Sequence, residues 1–219
     1  MTPADIPAVN RRLKAAFHSV KAPIIDLVAI QTRDPFRVLL GTILSARTKD
    51  ACTAAACERL FRCVTTPEGL RRIPLEVLEK TIYPVGFYRD KARHLKALPD
   101  VLDTRFGGVL PDTVEALCEL PGVGRKTANL VVALGFDKPA VCVDVHVHRI
   151  TNRLGLVHTQ TPFDTEMALR ATLPVRYWKT WNSYLVAFGQ TPCGPRNPRC
   201  AGCPIAAYCD ACREPPVKA

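Results

Sequence analysis

Four cysteines near the end of the chain constrain its fold more than any other feature. They follow the spacing C-x6-C-x2-C-x5-C, at Cys193, Cys200, Cys203 and Cys209. Four thiolates this close in sequence can enclose one metal centre, and clustered cysteines in an intracellular-looking chain favour a metal over disulfides. The segment between the first two, residues 194–199, contains two arginines and no acidic residue. The pattern predicts a metal-stabilised loop that presents positive charge outward.

The overall charge favours a polyanionic partner. The 219 residues carry a formal net charge of +10, with a pI of about 9.3. A compact basic chain most often binds nucleic acid, although a merely soluble basic protein would have the same charge. No segment approaches the ~18 consecutive apolar residues that cross a bilayer, so we expect no membrane partner. The first residues lack the pattern of a secretory signal peptide.

Helix-start residues recur along the chain and predict an all-α fold. Thr66 is the expected N-cap of one helix, with Pro67 at its first position. Another helix is expected from Asp90 to near Pro99. Alternating strand patterns are nearly absent. The remaining predicted helix starts are Phe36, Thr48, Pro74 and Asp112.

A glycine-containing turn forms the second strong motif, Leu120-Pro121-Gly122-Val123-Gly124-Arg125-Lys126-Thr127-Ala128. Two glycines, two residues apart, permit a tight turn and let backbone N–H groups approach a phosphate. The helix that begins here also favours an anion at its N-terminus. The pattern predicts a helix-hairpin-helix that binds DNA backbone through Gly122, Val123, Gly124 and Arg125. An ordinary glycine turn between helices is the alternative interpretation.

Lys126 and Asp144 form a candidate catalytic pair. The helix from Lys126 to Leu134 would rise about 12 Å, and an extended return from Pro139 to Asp144 can span roughly 17–20 Å. Asp144 can therefore return beside Lys126. A neutral amine can attack a sugar carbon, and a carboxylate can stabilise positive charge there as the base leaves. The alternatives are a phosphate contact for Lys126 and a helix N-cap for Asp144.

These motifs together resemble the endonuclease III family of DNA glycosylase/AP lyases. The resemblance includes Val143-Asp144-x-His146-x-x-Arg149 and Gly86-Phe87-Tyr88-x-x-Lys91-Ala92, and extends from about residue 28 to 212. It implies a helix-hairpin-helix glycosylase fold with a catalytic cleft between two domains. Residues 28–138 would form a six-helix barrel domain, and residues 1–27 and 139–219 an iron–sulfur helical domain.

The resemblance also implies a cofactor and a reaction. A [4Fe-4S] cluster would be held by Cys193, Cys200, Cys203 and Cys209, with zinc as the alternative metal. Cys212 has no place in the family pattern and is interpreted as a spare thiol or a replacement for Cys209. The implied partner is double-stranded DNA with damaged pyrimidines or abasic sites, bound by a monomer in the cytoplasm at the nucleoid. Lys126 argues for lyase activity, because monofunctional relatives generally lack this lysine.

Several residues depart from the family pattern or have weaker assignments. Arg47 stands where the family usually has glutamine, and an arginine there prefers guanine in the opposite strand. Phe87 stands at the usual leucine wedge and could stack between bases, or only pack its loop. The remaining predicted DNA contacts are His146, Arg149, Arg196 and Arg199.

Three other functions stay open at this point. A mismatch-directed glycosylase is supported by Arg47 alone and disfavoured by Lys126. A non-catalytic DNA-binding module would need no carboxylate beside the phosphate contacts. A ferredoxin-like electron carrier fits poorly with one cluster in a basic helical chain. We therefore predict a bifunctional glycosylase/AP lyase of base excision repair for oxidised pyrimidines such as thymine glycol.

Overall fold

The computed structural model describes residues 1–17 and 24–213. Within this part of the chain the regular structure is helical, with no β-strand, which confirms the predicted all-α class. The residues separate into two compact units, divided between Lys138 and Pro139, and the N-terminal helix belongs to the second of them. None of the helices in these residues is long and apolar enough to cross a membrane.

The first unit packs around one deeply buried helix. This helix, α3 (Pro35–Ser45), begins at Pro35, and its residues Val38, Leu40 and Leu44 are fully buried. It contacts α2, α4, α7 and α9. The helices of this unit are α2 (Ile24–Thr32), α3 (Pro35–Ser45), α4 (Asp50–Cys63), α5 (Pro67–Arg72), α6 (Leu75–Ile82), α7 (Tyr88–Phe106), α8 (Val114–Leu117) and α9 (Arg125–Leu130), which continues as a π-helical turn, Val131–Gly135.

Helix starts in this unit follow from local capping chemistry. The Thr66 side chain accepts a hydrogen bond from the Gly69 amide, with Pro67 at the first helical position, as predicted. The prediction that the helix from Asp90 ends near Pro99 is wrong, because α7 continues to Phe106. Pro99 removes only one amide donor. Burial of Leu98 and Leu102 on either side compensates for that loss.

The second unit packs three helices around a core that contains Trp181 and Phe188, both buried. Helices α10 and α12 contact each other closely, and α1 packs on α12. Trp178 and Tyr184, on the same helix, are partly buried and pack against this core. The helices of this unit are α1 (Ile6–Phe17), α10 (Val145–Arg153), α11 (Pro162–Thr172), α12 (Trp178–Gln190) and α13 (Asp210–Arg213).

Candidate nucleic-acid interface and metal centre

The glycine turn leads into α9 with its backbone open to solvent. Leu120 and Val123 are buried and fix the turn on the core of the first unit. Gly122 has φ +75, and a Cβ there would lie 2.7 Å from Nδ1 of His94. A Cβ on Gly124 would meet nothing within 4 Å. The first position therefore favours glycine, whereas the second leaves space for a ligand to approach the backbone.

Lys126 lies in the first turn of α9, and its side chain is exposed. It follows Arg125, which pairs with Glu115 at 3.5 Å. The predicted helix from Lys126 through Leu134 is confirmed, because the π-helical turn extends α9 to Gly135.

Asp144 is the N-cap of α10 in the second unit. Its Oδ1 accepts hydrogen bonds from the amides of His146 and Val147, both at 2.9 Å. The N-cap role that the sequence offered as an alternative is therefore present. These two bonds fix the carboxylate through one oxygen. A cap of this kind does not exclude a chemical role for the carboxylate.

Two arginines on one face of α10 hold the cysteine loop. Arg149 donates from Nη2 to the carbonyl oxygens of Gly189 at 3.2 Å and Cys193 at 2.9 Å. Burial is the main cause that lowers its pKa. His146 lies beside it, with Nδ1 3.3 Å from Nη2 of Arg149. Arg149 is thus engaged with backbone of its own unit, while its predicted phosphate contact stays a prediction.

The second of these arginines was missed in the sequence. Arg153 donates from Nη1 to the Gly194 carbonyl at 2.7 Å and from Nη2 to the Pro195 carbonyl at 2.7 Å. Its Nη1 also lies 3.4 Å from the Cys193 sulfur. The sequence feature that could have identified Arg153 is its spacing of four residues from Arg149, which places both side chains on one face of the helix.

The predicted metal-binding cysteines line one cavity. Its volume is about 170 Å³, and apolar residues such as Leu154, Phe188 and Ile205 form much of its wall. Arg196 and Arg199 also line it and are exposed on their outer side. The cysteines on its wall are Cys193, Cys200, Cys203, Cys209 and Cys212.

The thiols that line this cavity are ligands that a metal centre can use. Tetrahedral zinc holds its sulfur ligands about 2.3 Å away, which requires the thiols to converge on one point. In the described part of the chain, no three His, Cys, Asp or Glu side chains are placed to hold one metal ion. The cavity of about 170 Å³ far exceeds the ~10–15 Å³ that one water needs. Cysteine thiolates around such a space suit an iron–sulfur cluster.

Arg47 and Phe87 lie side by side on the first unit. The guanidinium carbon of Arg47 is 5.4 Å from the centroid of the Phe87 ring, a cation–π distance. Both residues have left-handed backbone, with φ 53 for Arg47 and φ 57 for Phe87. The Phe87 side chain is 59% exposed. Two exposed side chains on strained backbone are typical of a functional surface.

Comparisons with known proteins agree with these features. A family model described as the HhH-GPD superfamily base excision DNA repair protein matches residues 40–174. Endonuclease III of Thermotoga maritima is 47% identical over 181 residues, which cover 83% of this chain and 85% of that protein. The chain belongs to the endonuclease III family. Endonuclease III homolog 2, chloroplastic, of Arabidopsis thaliana is 42% identical over 83% of this chain but only 50% of its own length.

Solved structures show the same relationship over the whole chain. One described as a trapped endonuclease III–DNA covalent intermediate, an estranged-adenine complex, has a TM-score of 0.83 and 33% sequence identity. The match covers 97% of this chain and 98% of that chain. As a member of the endonuclease III family, this chain is a DNA glycosylase/AP lyase of base excision repair.

A buried lysine positions Arg47 and Phe87 in this family member. Lys91 is 6% exposed, and its Nζ donates to the carbonyl oxygens of Leu44 at 2.8 Å and Ala46 at 2.6 Å. It also donates to Oγ1 of Thr48 at 3.2 Å. Burial lowers the pKa of Lys91 to about 8.

A further hydrogen bond, next to those of Lys91, joins the turn at Gly86 to the turn that carries Arg47. The Gly86 amide donates to the same Thr48 hydroxyl at 3.1 Å. Lys91 lies at the end of the first turn of α7, four residues after Phe87. The lysine therefore holds the turn before Phe87 and the turn that carries Arg47 together. The sequence places Lys91 in a family motif but gives no sign of this role, because its acceptors lie more than forty residues away along the chain.

Proposed function

We propose that this chain removes oxidised pyrimidines such as thymine glycol from duplex DNA and cleaves the resulting abasic site. The observation that carries the proposal is a lysine, Lys126, in the first turn of the helix that follows the solvent-open glycine turn. A primary amine placed beside bound backbone can act as a nucleophile, whereas phosphate binding alone needs only charge. The related structure that shares 33% identity is described as a trapped covalent intermediate with DNA.

The proposed reaction assigns one role to each of two residues. The Lys126 amine attacks C1′ of the flipped nucleotide, the glycosidic bond breaks, and its electron pair leaves with the base, which takes up a proton. Asp144 stabilises the positive charge that develops on the sugar. The ring then opens to a Schiff base, loss of a C2′ proton expels the 3′ phosphate by β-elimination, and water hydrolyses the imine to free Lys126.

The remaining proposed contacts bind and read the DNA. Arg47 and Phe87 enter the space beside the flipped nucleotide, where Phe87 stacks and Arg47 contacts the opposite base. Because an arginine fork matches the two acceptors of guanine, we expect lesions opposite guanine to be preferred. The proposed backbone contacts are Gly122, Val123, Gly124, Arg125, His146, Arg149, Arg196 and Arg199.

We further propose that Cys193, Cys200, Cys203 and Cys209 hold a [4Fe-4S] cluster. When bound, the cluster supplies a rigid structural support rather than chemistry at the sugar. The unit of residues 24–138 is then the barrel domain, and the unit with residues 1–17 and 139–213 is the iron–sulfur domain. Residues 18–23 and 214–219 of the predicted domains lie outside the described residues. We expect a monomer that works at the nucleoid.

Borohydride trapping on duplexes with thymine glycol or an abasic site tests the reaction. The native chain should be trapped on both substrates, and Lys126→Ala should not be trapped on either. Lys126→Arg is the decisive variant, because it keeps the positive charge for phosphate but cannot form a Schiff base. Lys80→Ala, an exposed lysine on α6, is the matched control and should behave as wild type.

The outcomes separate the competing functions. Trapping on the abasic site alone would refute the oxidised-pyrimidine substrate and leave a lyase. Trapping that survives in Lys126→Arg would refute Lys126 as the nucleophile. Tight binding of both duplexes without any trapping would favour the non-catalytic DNA-binding module.

A further inference from the structure

A fifth cysteine lines the cavity of the proposed cluster. Cys212 lies on the wall with the four predicted ligands, and its side chain contacts those of Cys200 and Cys209. Its amide donates to the Cys209 carbonyl at 3.1 Å, so the two residues share one turn of backbone. Four thiolates are sufficient for a [4Fe-4S] cluster. Cys212 is therefore a fifth thiol at a site where four thiolates are sufficient.

The backbone around Cys212 holds it at the cavity. Helix α13 carries Cys212, and Asp210 at its start packs against Gly155 so closely that a Cβ on Gly155 would lie 1.7 Å from Oδ2. Gly155 has φ +71, a conformation that favours glycine. Asp210 also pairs with the amino group of Met1 at 2.9 Å. Because this segment is anchored at Asp210, the contacts of Asp210 hold Cys212 at the cavity wall.

The two neighbours of Cys212 differ in exposure. Cys200 is exposed, whereas Cys209 is buried and its sulfur lies 3.3 Å from the Arg153 carbonyl. Exposed cysteines are the ones that oxidants and alkylating agents reach first. A surplus thiol that contacts both of them lies beside two of the predicted iron ligands.

We propose that Cys212 is a reserve ligand that binds the iron of Cys200 or Cys209 when either thiolate is lost. The proposal rests on the proposed cluster. In the exchange an Fe–S bond to the original cysteine breaks and a bond to the Cys212 sulfur forms. The Cys212 proton passes to the departing thiolate or, where serine replaces the cysteine, to solvent. No electron is transferred, so no oxidant or reductant takes part.

The test compares cluster content in purified full-length variants. Iron, acid-labile sulfide and visible absorbance are measured in wild type, Cys200→Ser, Cys209→Ser, and each of these combined with Cys212→Ser. Cys212→Ser alone and Cys203→Ser with and without Cys212→Ser are the matched controls. Circular dichroism and thermal unfolding report whether each variant folds. Mass spectrometry after alkylation then shows which thiols are protected.

The proposal expects that Cys200→Ser or Cys209→Ser retains its cluster and that adding Cys212→Ser lowers the iron content roughly tenfold. In the retaining variant Cys212 should become protected from alkylation, whereas in wild type it should react. Cys212→Ser alone should keep full iron. If both single variants lose their iron to the level of their double variants, the reserve role is refuted. If wild type itself contains no iron and sulfide, the cluster proposal fails, and the reserve role fails with it.

When a serine variant does not fold, the same question can be asked of the wild-type chain. The loss of iron and visible absorbance to an added chelator is followed over time in the folded holoprotein and in Cys212→Ser, because a reserve ligand that rebinds iron slows this loss. Slower loss from wild type than from Cys212→Ser supports the reserve role. Parallel loss of iron in wild type and in Cys212→Ser refutes it.

Discussion

Replacing Lys91 with methionine removes the ammonium that joins the end of α3 to the turn at Gly86. Methionine keeps the aliphatic stem, so the change isolates the charge and its hydrogen bonds. A bond from a charged donor to each of the Leu44 and Ala46 carbonyls contributes about 2 kcal/mol, and the bond to Thr48 about 1 kcal/mol.

The lost bonds are partly offset by relief of desolvation. Burial lowers the pKa of Lys91 from 10.5 to about 8. At ~1.4 kcal/mol per pKa unit this corresponds to roughly 3 kcal/mol that no longer opposes folding once the charge is gone. We therefore expect the free energy of unfolding of Lys91→Met to fall by about 2 kcal/mol at pH 7. Urea unfolding monitored by circular dichroism measures this difference.

The pH dependence gives an independent check on the same residue. Because the folded pKa is lower than the unfolded value, Lys91 holds its proton in both states below about pH 8. Between pH 8 and 10.5 the unfolded chain binds more protons, so the stability of wild type rises relative to Lys91→Met, by up to ~1.4 kcal/mol per pH unit. The gap should therefore be constant below pH 8 and widen above it.

Lys80→Met is the control for both measurements, because this exposed lysine should change stability by less than about 0.5 kcal/mol. Equal stability of Lys91→Met and wild type at pH 7 would refute the role of the three hydrogen bonds. A gap that does not change between pH 8 and 10 would refute the lowered pKa.

Three further substitutions probe the interface and the cysteine loop. Gly122→Ala places a Cβ 2.7 Å from His94 at φ +75, so we expect the free energy of unfolding to fall by roughly 1–3 kcal/mol. Fluorescence anisotropy should also show weaker binding of undamaged duplex DNA. Gly124→Ala is the control and should be as stable as wild type. Arg47→Gln removes the cation beside the Phe87 ring and the proposed contact with guanine. The kcat/KM for thymine glycol opposite guanine, relative to adenine, should therefore fall roughly tenfold. An unchanged ratio would show that Arg47 does not read the opposite base. Arg153→Met leaves the Gly194 and Pro195 carbonyls without the donor that Arg153 supplies. The visible absorbance of the holoprotein should therefore decay faster on warming than in wild type. Equal decay rates would contradict the role of Arg153 in holding the cysteine loop.

The sequence predicted local features well and long-range contacts poorly. Thr66 and Asp144 are caps whose partners lie within three residues, so side-chain chemistry alone predicts the bond. Lys91 and Arg153 bind carbonyl oxygens about forty residues away. The sequence around Lys91 and Arg153 does not differ from that around an exposed lysine or arginine. Only the folded chain shows which carbonyl oxygens remain without a backbone donor.

Pro99 shows the opposite error, a local rule that tertiary packing overrides. A proline inside a helix costs a hydrogen bond, and that rule predicted the end of α7 there. The helix instead continues to Phe106, and Gly107, a left-handed glycine with φ +60, caps its end. Burial of Leu95, Leu98 and Leu102 on one side of α7 depends on neighbours that the local sequence does not contain.

The two ends of helix α10 hold different groups. Its first amides hold the Asp144 carboxylate, and its last residue, Arg153, holds the loop that begins at Cys193. The nine residues of α10 rise about 13 Å as one continuous hydrogen-bonded helix. A shift or rotation of the cysteine loop therefore changes the direction of the carboxylate with no flexible joint in between. Damage at the cysteines would therefore misalign a carboxylate at the opposite end of the same helix.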